Sequence, residues 1–244
     1  GSDECIDVLY RAFCEPGRDN VVAIDPTYGM YKVCADINDV EYRPVRMTPD
    51  FDFDVETMLA AADERTKLMF FCSPNNPSGN SLSKEKIEQV LSRFSGIVVV
   101  DEAYIDFASQ PGFLPQLPQH DNLVVMHTFS KAWGAASIRL GMAFAHPEII
   151  ALFNKIKYPY NINLLTQQHA SEMLDNHEQV RRWVDELIQS RDALQKSLAA
   201  LPHVRGIYPS DANFLLVRFD DAQAVYDYCL LYTSDAADEL DGVD

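Results

Sequence analysis

Lys131 stands in Thr128-Phe129-Ser130-Lys131, directly after the apolar run Leu123–His127. An amine at the mouth of a buried strand is partly desolvated, which lowers its pKa and exposes a nucleophile suited to a Schiff base. Thr128, Ser130 and Arg139 supply the hydroxyl and guanidinium donors that cradle a phosphate. For any single lysine, an ordinary surface position is the commoner explanation. That explanation weakens here, because two more polar clusters follow two more apolar runs. Asp101-Glu102-Ala103-Tyr104 follows Ile97–Val100. A carboxylate at the end of a buried strand must meet a cation or hydrogen-bond donors. The protonated ring nitrogen of a pyridine cofactor is one such cation. A Mg²⁺ held by a Walker-B-like acid is another, and capping of the next segment is a third use. No G-x-x-x-x-G-K-[ST] occurs in the sequence to support the nucleotide reading.

The third cluster is Ser73-Pro74-Asn75-Asn76-Pro77-Ser78-Gly79, after Leu68–Cys72. Two prolines stiffen it, Gly79 permits a positive φ, and Asn76 can present a pre-aimed hydrogen bond. A plain tight turn explains the same residues. Tyr28, in Pro26-Thr27-Tyr28-Gly29-Met30-Tyr31, can stack on a planar ring or simply fill the core. Ser2 and Asp3 open the first helix, whose free N–H groups suit an anion, although a leading Gly-Ser is also a common cloning scar.

The elements that must position these clusters alternate. Helices are predicted over Asp3–Cys14 and Tyr28–Ile37, from an Asp54 cap to about Ala62, and after a Ser83 cap. Strands are predicted at Val21–Ile24, Glu41–Val45, Leu68–Cys72, Ile97–Val100, Leu123–His127 and Gly141–Ala145. Continuous apolar strands between helices imply an α/β fold, with a parallel or mixed sheet covered on both faces. Ligands in such sheets bind at the carboxyl ends of strands, so the clusters are expected to converge. Beyond His146, helices are expected at about Pro147–Lys157, Leu164–Asn176 and Glu178–Ala200, then a strand at Asn213–Phe219. The change of pattern divides the chain into 1–177, a large domain, and 178–228, a partial smaller one.

The 244 residues carry a net charge of −17, which argues against nucleic-acid partners and anionic membranes. A small anionic ligand therefore needs local positive charge. Eight acids and no Lys or Arg follow Arg218. The longest apolar runs are too short to cross a bilayer. Five cysteines without C-x-x-C spacing read as reduced, mostly buried thiols of a cytoplasmic protein, and six scattered histidines give no metal site.

The motifs GSDE (1–4), AFCEPG (12–17), PTYGMY (26–31), SPNNPSG (73–79), VVDEAYIDF (99–107), TFSKAWG (128–134), IRLGMAFA (138–145) and YPYNIN (158–163) run in one order through nearly all of residues 1–228. Together they resemble the fold-type-I pyridoxal-phosphate aminotransferases, and within them the histidinol-phosphate aminotransferase family. The threonine-phosphate decarboxylases share most of these pieces. The resemblance implies a three-layer large domain with a mostly parallel sheet, an incomplete small α+β domain, and a homodimer with pyridoxal 5'-phosphate at its interface. Lys131 would carry the Schiff base and move the proton between the substrate α-carbon and the cofactor. Asp101 would pair with the pyridinium nitrogen, and Asn76 and Tyr104 would bond the ring oxygen. Tyr28 would stack on the ring. Ser130, Arg139 and the N–H groups of Ser2 and Asp3 would hold the phosphate, with Thr128 helping. Asn161 and Asn213 would line the substrate side.

The implied reaction exchanges an amino group between L-histidinol phosphate and 2-oxoglutarate, with glutamate as product, in histidine biosynthesis. Other fold-type-I aminotransferase or decarboxylase activities remain alternatives, as does an inactive cofactor-binding fragment. Truncation at both ends is expected, because the chain begins within GSDE and the resemblance ends near Tyr228. Residues 229–244 are expected to be non-native, translated adapter sequence without a packed role, and turnover by this chain is expected to be poor.

Overall fold

The computed structural model of the protein describes residues 1–230. Six strands form one sheet: β1 (Asn20–Asp25), β2 (Glu41–Arg46), β3 (Thr66–Cys72), β4 (Ile97–Asp101), β5 (Leu123–Thr128) and β6 (Gly141–Ala145), in the order β2-β1-β3-β4-β5-β6. The first five are parallel and β6 is antiparallel to β5. The middle strands are buried along nearly their whole length, as their unbroken apolar runs require. One core layer joins Val22, Phe53, Phe71, Val98 and Val100 to Ile87 and Leu91 of α4 (Lys84–Arg93). The opposite layer joins Val21, Phe70, Val99 and Met126 to α1 (Ser2–Phe13), α2 (Met30–Ile37) and α5 (Pro147–Ile156). The predicted caps form: Asp54 accepts from the Thr57 N–H at the start of α3 (Val55–Ala60), and Ser83 from the Lys86 N–H.

Three expectations need correction. The second helix begins at Met30, not Tyr28, since Gly29 takes its N-cap. The last predicted strand shrinks to β8 (Val217–Phe219). It pairs antiparallel with β7 (Val204–Ile207), which the short, Gly-containing sequence concealed. Residues 213–216 fall outside it because Ser210 accepts from the Ala212 N–H and donates to the Phe214 carbonyl, holding this stretch in a turn. Of the five cysteines, only Cys34 and Cys72 are buried. Between the sheets run α6 (Leu164–Asp175) and the long α7 (His177–Ala199). Residues 222–230 are helical; the rest of the stretch expected to lack a packed role lies outside the described residues.

Parallel order places the ends of β1, β3, β4 and β5 at one edge of the sheet, and reversal of β6 brings its start to the same edge. There Gly141 pairs with Thr128. The N-terminus of α1 rests on it so closely that a Cβ on Gly141 would lie 2.3 Å from the Ser2 nitrogen. Gly141→Ala is expected to push α1 off the sheet edge and to cost about 1–3 kcal/mol, as overpacking does. Urea denaturation of wild type and variant measures it, and an unchanged midpoint would contradict the contact.

Candidate active site

Asp101 ends β4 with 2% of its surface exposed. The Tyr31 hydroxyl donates to Oδ2 at 2.8 Å and the Ala103 N–H to Oδ1 at 3.1 Å. Burial pushes its carboxyl up to about 6, against the pull of these two donors. Among the described residues no ion pair reaches it. Tyr31 is itself anchored, its ring stacked 4.7 Å from Phe70, which stacks on Tyr10. Burial and Asp101 both raise the Tyr31 pKa, so this hydroxyl stays a donor.

Asp101 opens onto a cavity of about 100 Å³ at the carboxyl edge of the sheet. Ser2, Asp3, Tyr28, Asn76, Tyr104, Thr128, Ser130, Lys131 and Arg139 all line it. Every cofactor-side residue expected from the sequence is thus brought to one place. The Lys131 ammonium lies 5.3 Å from the centre of the Tyr104 ring. Tyr104 is buried and held edge-on by Phe214. Arg139, in the left-handed region at φ 52°, reaches back to Asp3 Oδ2 at 3.3 Å. The Tyr28 hydroxyl donates to Asp3 Oδ1 at 2.9 Å. The Glu4 N–H donates to the Gly1 carbonyl at 3.1 Å, which leaves the Ser2 and Asp3 N–H groups, at the helix start, beside Arg139 and Ser130 on one side of the cavity.

In the Asn75-Asn76 pair the structure separates two roles. Asn75 is fully buried, donating to the Pro26 carbonyl and Ser78 Oγ and accepting from Thr27 Oγ1, so it builds the turn. Asn76 faces the cavity. Gly79 takes φ 85°, as the turn demands.

Several expectations are not met. Lys131 is exposed, on a loop at the rim of the cavity, rather than partly buried as expected. Thr128 spends its hydroxyl within the protein, donating to the Leu140 carbonyl and accepting from the Ser130 N–H. Asn161 lies apart, donating to Glu4 and lining a neighbouring cavity of about 290 Å³. Asn213 is exposed and outside the Asp101 cavity. Tyr31, Cys72 and Phe214 were assigned no role in the sequence. Tyr31 in PTYGMY was the findable one, as a second aromatic close to Tyr28, whose ring it meets edge-on at 5.8 Å. A larger cavity of about 780 Å³, beside Trp133, Trp183 and α7, holds neither Lys131, Asp101 nor Arg139.

A buried acid without an ion pair among the described residues, an amine, an aromatic wall and a guanidinium beside a helix start match in chemical kind the nitrogen, carbonyl carbon, face and anion of a flat, phosphorylated, basic ring. Comparison with known proteins bears on which ring. The family model described as "Aminotransferase class I and II" matches residues 1–237. The chain is 57% identical over 228 residues to the histidinol-phosphate aminotransferase of Bacteroides fragilis (strain YCH46), covering 93% of this chain and 66% of that protein. It is 48% identical to that of Flavobacterium johnsoniae, covering 93% and 65%. The chain thus spans just under two thirds of the length of these curated relatives. Among solved structures, the histidinol-phosphate aminotransferase of Clostridium acetobutylicum superposes with a TM-score of 0.86 at 22% identity, covering 96% of this chain and 70% of that one. That of Sinorhizobium meliloti, solved in complex with pyridoxal-5'-phosphate, gives 0.83 at 23%, covering 94% and 64%. At those identities the structures speak for the fold.

The raised carboxyl of Asp101 has a measurable sign. The folded state binds its proton more tightly than the unfolded state, so stability present below pH 4 is lost as the pH rises toward about 6. Asp101→Asn is expected to remove this loss, making the variant more stable than wild type at pH 7.5 by about 1–3 kcal/mol, with the advantage shrinking at pH 4.5. Urea melts at both pH values test it, and a constant difference between the two would contradict it.

Proposed function

The chain belongs to the class I and II aminotransferase family, and from that premise we propose that it serves the transfer of an amino group between L-histidinol phosphate and 2-oxoglutarate with pyridoxal 5'-phosphate as cofactor. One observation carries the reading: the buried Asp101 carboxyl, raised by burial and without an ion-pair partner among the described residues, shares a cavity with the Lys131 amine and the Arg139 guanidinium. When bound, the cofactor supplies an electron sink that stabilises negative charge at the substrate α-carbon.

The residues of the chain divide the remaining work. Asp101, ionised by a cation beside it, keeps the ring nitrogen protonated. Tyr31 and the Ala103 N–H orient that carboxylate. Tyr28 provides the stacking face, and Asn76 and Tyr104 direct hydrogen bonds to the ring oxygen. Ser130, Arg139 and the N–H groups of Ser2 and Asp3 retain the phosphate. The Lys131 amine takes the proton from the substrate α-carbon as a general base and returns it. The reading includes a cytoplasmic homodimer. Exposed Tyr158, Tyr160, Leu164 and Leu165 support it as apolar surface open to a second copy, and no helix among the described residues is long and apolar enough to cross a membrane.

Incubation with pyridoxal 5'-phosphate, reduction with borohydride and peptide mapping test the assignment. The label is expected on Lys131 and is expected to vanish in Lys131→Ala. Labelling spread over surface lysines, or its persistence in the variant, would overturn it.

A further inference from the structure

On the other side of the β4 end lies an ionisable pair, buried Glu102 and half-buried His127, that the proposed reaction leaves without a role. Glu102 is 2% exposed, and its Oε2 lies 2.8 Å from His127 Nε2. Its Oε1 accepts the Phe113 N–H at 2.6 Å. A Cβ on Gly112 would stand 2.5 Å from that oxygen, so the Gly112–Phe113 backbone closes directly over the carboxylate. Glu102 faces a separate cavity of about 400 Å³ that contains none of Asp101, Lys131 or Arg139.

The position of the pair along the chain gives it meaning. Glu102 immediately follows Asp101, and His127 immediately precedes Thr128. Side chains alternate across a strand. Each member is therefore back to back with a residue that lines the Asp101 cavity. The Glu102 N–H also donates to the Met126 carbonyl at 2.9 Å, continuing the β4–β5 ladder past its last paired residue. Burial of a carboxylate is costly unless its oxygens are satisfied, and an apolar pair joins two strands at lower cost. What the polar pair adds is direction: both Glu102 oxygens have a specified partner, and the partners lie on β5 and on the 112–113 segment.

We infer that Glu102 and His127 are positioning residues, which tie the ends of β4 and β5 together behind the site so that Asp101 and the Thr128–Lys131 segment face one another across the cavity. The inference rests on the reading above for the identity of the ligand, not for the strand-end geometry.

The test compares wild type with Glu102→Ala, Glu102→Gln and Val90→Ala, the last a core truncation in the α4 layer away from the site. Hydrogen exchange of segments 101–104 and 126–131 reads the strand ends, and absorbance titration reads affinity for pyridoxal 5'-phosphate. In Glu102→Ala both segments are expected to exchange faster while 20–25 and 66–72 keep their rates, and the cofactor to bind about tenfold more weakly, the scale of one lost charge-assisted hydrogen bond. Glu102→Gln, which still accepts from Phe113, is expected to recover most of both. Val90→Ala is expected to lower the melting temperature with neither change. Wild-type exchange at the strand ends in Glu102→Ala would overturn the inference, and so would faster exchange with wild-type affinity. If wild type itself fails to bind the cofactor, the cofactor reading fails, and exchange alone then decides whether the pair holds the strand ends.

Discussion

A carboxylate sealed at the end of an apolar strand is the constraint around which this protein is organised. Asp101 is buried where β4 runs out, beside an aliphatic and aromatic core layer. Little of it is open to water, so the protein must supply donors. The Tyr31 hydroxyl and the Ala103 N–H do so, and they do not fully offset the burial, because the carboxyl remains raised. In the proposed function that residual imbalance suits the position to a positive ring nitrogen. The same imbalance explains the aromatic column behind it. Tyr10, Phe70 and Tyr31 stack, and the Tyr10 hydroxyl donates to the Tyr31 carbonyl, so Tyr31 is held from both backbone and ring.

Around this point the fold gathers groups of opposite character by a simple topological device. Parallel strands deliver their exits to one edge, and one reversed strand, β6, returns to that edge from the far side. Arg139 sits just before β6 begins, and the bare backbone of Gly141 lets α1 approach until its first N–H groups border the same cavity. Asp3 then links Tyr28 to Arg139, joining the stacking wall to the anion side. The arrangement is asymmetric: the acid is deep and rigid, whereas the amine and guanidinium are at the rim.

Much of this was legible before any coordinates. The carboxyl-edge clusters could be recognised because each pairs an uninterrupted apolar run with polar residues that folding alone does not require. The Asp54 and Ser83 caps were equally readable, being set by local hydrogen bonds. The β7–β8 hairpin was not, since four residues around Gly206 carry too little alternation to mark a strand. Nor was the division of labour between Asn75 and Asn76, which depends on Thr27, Pro26 and Ser78 arriving from elsewhere.

The sequence by itself determined the kinds of chemistry present and the order of the strands' exits, because residue type sets charge and nucleophilicity and apolar periodicity sets burial. Only the tertiary structure decided which carboxylate is buried without an ion pair among the described residues, that Tyr31 is its donor, that Lys131 remains exposed, and that Asn161 and Asn213 lie outside the Asp101 cavity. Those outcomes depend on distances between residues remote in the chain, and such distances arise only when the sheet and its helices pack.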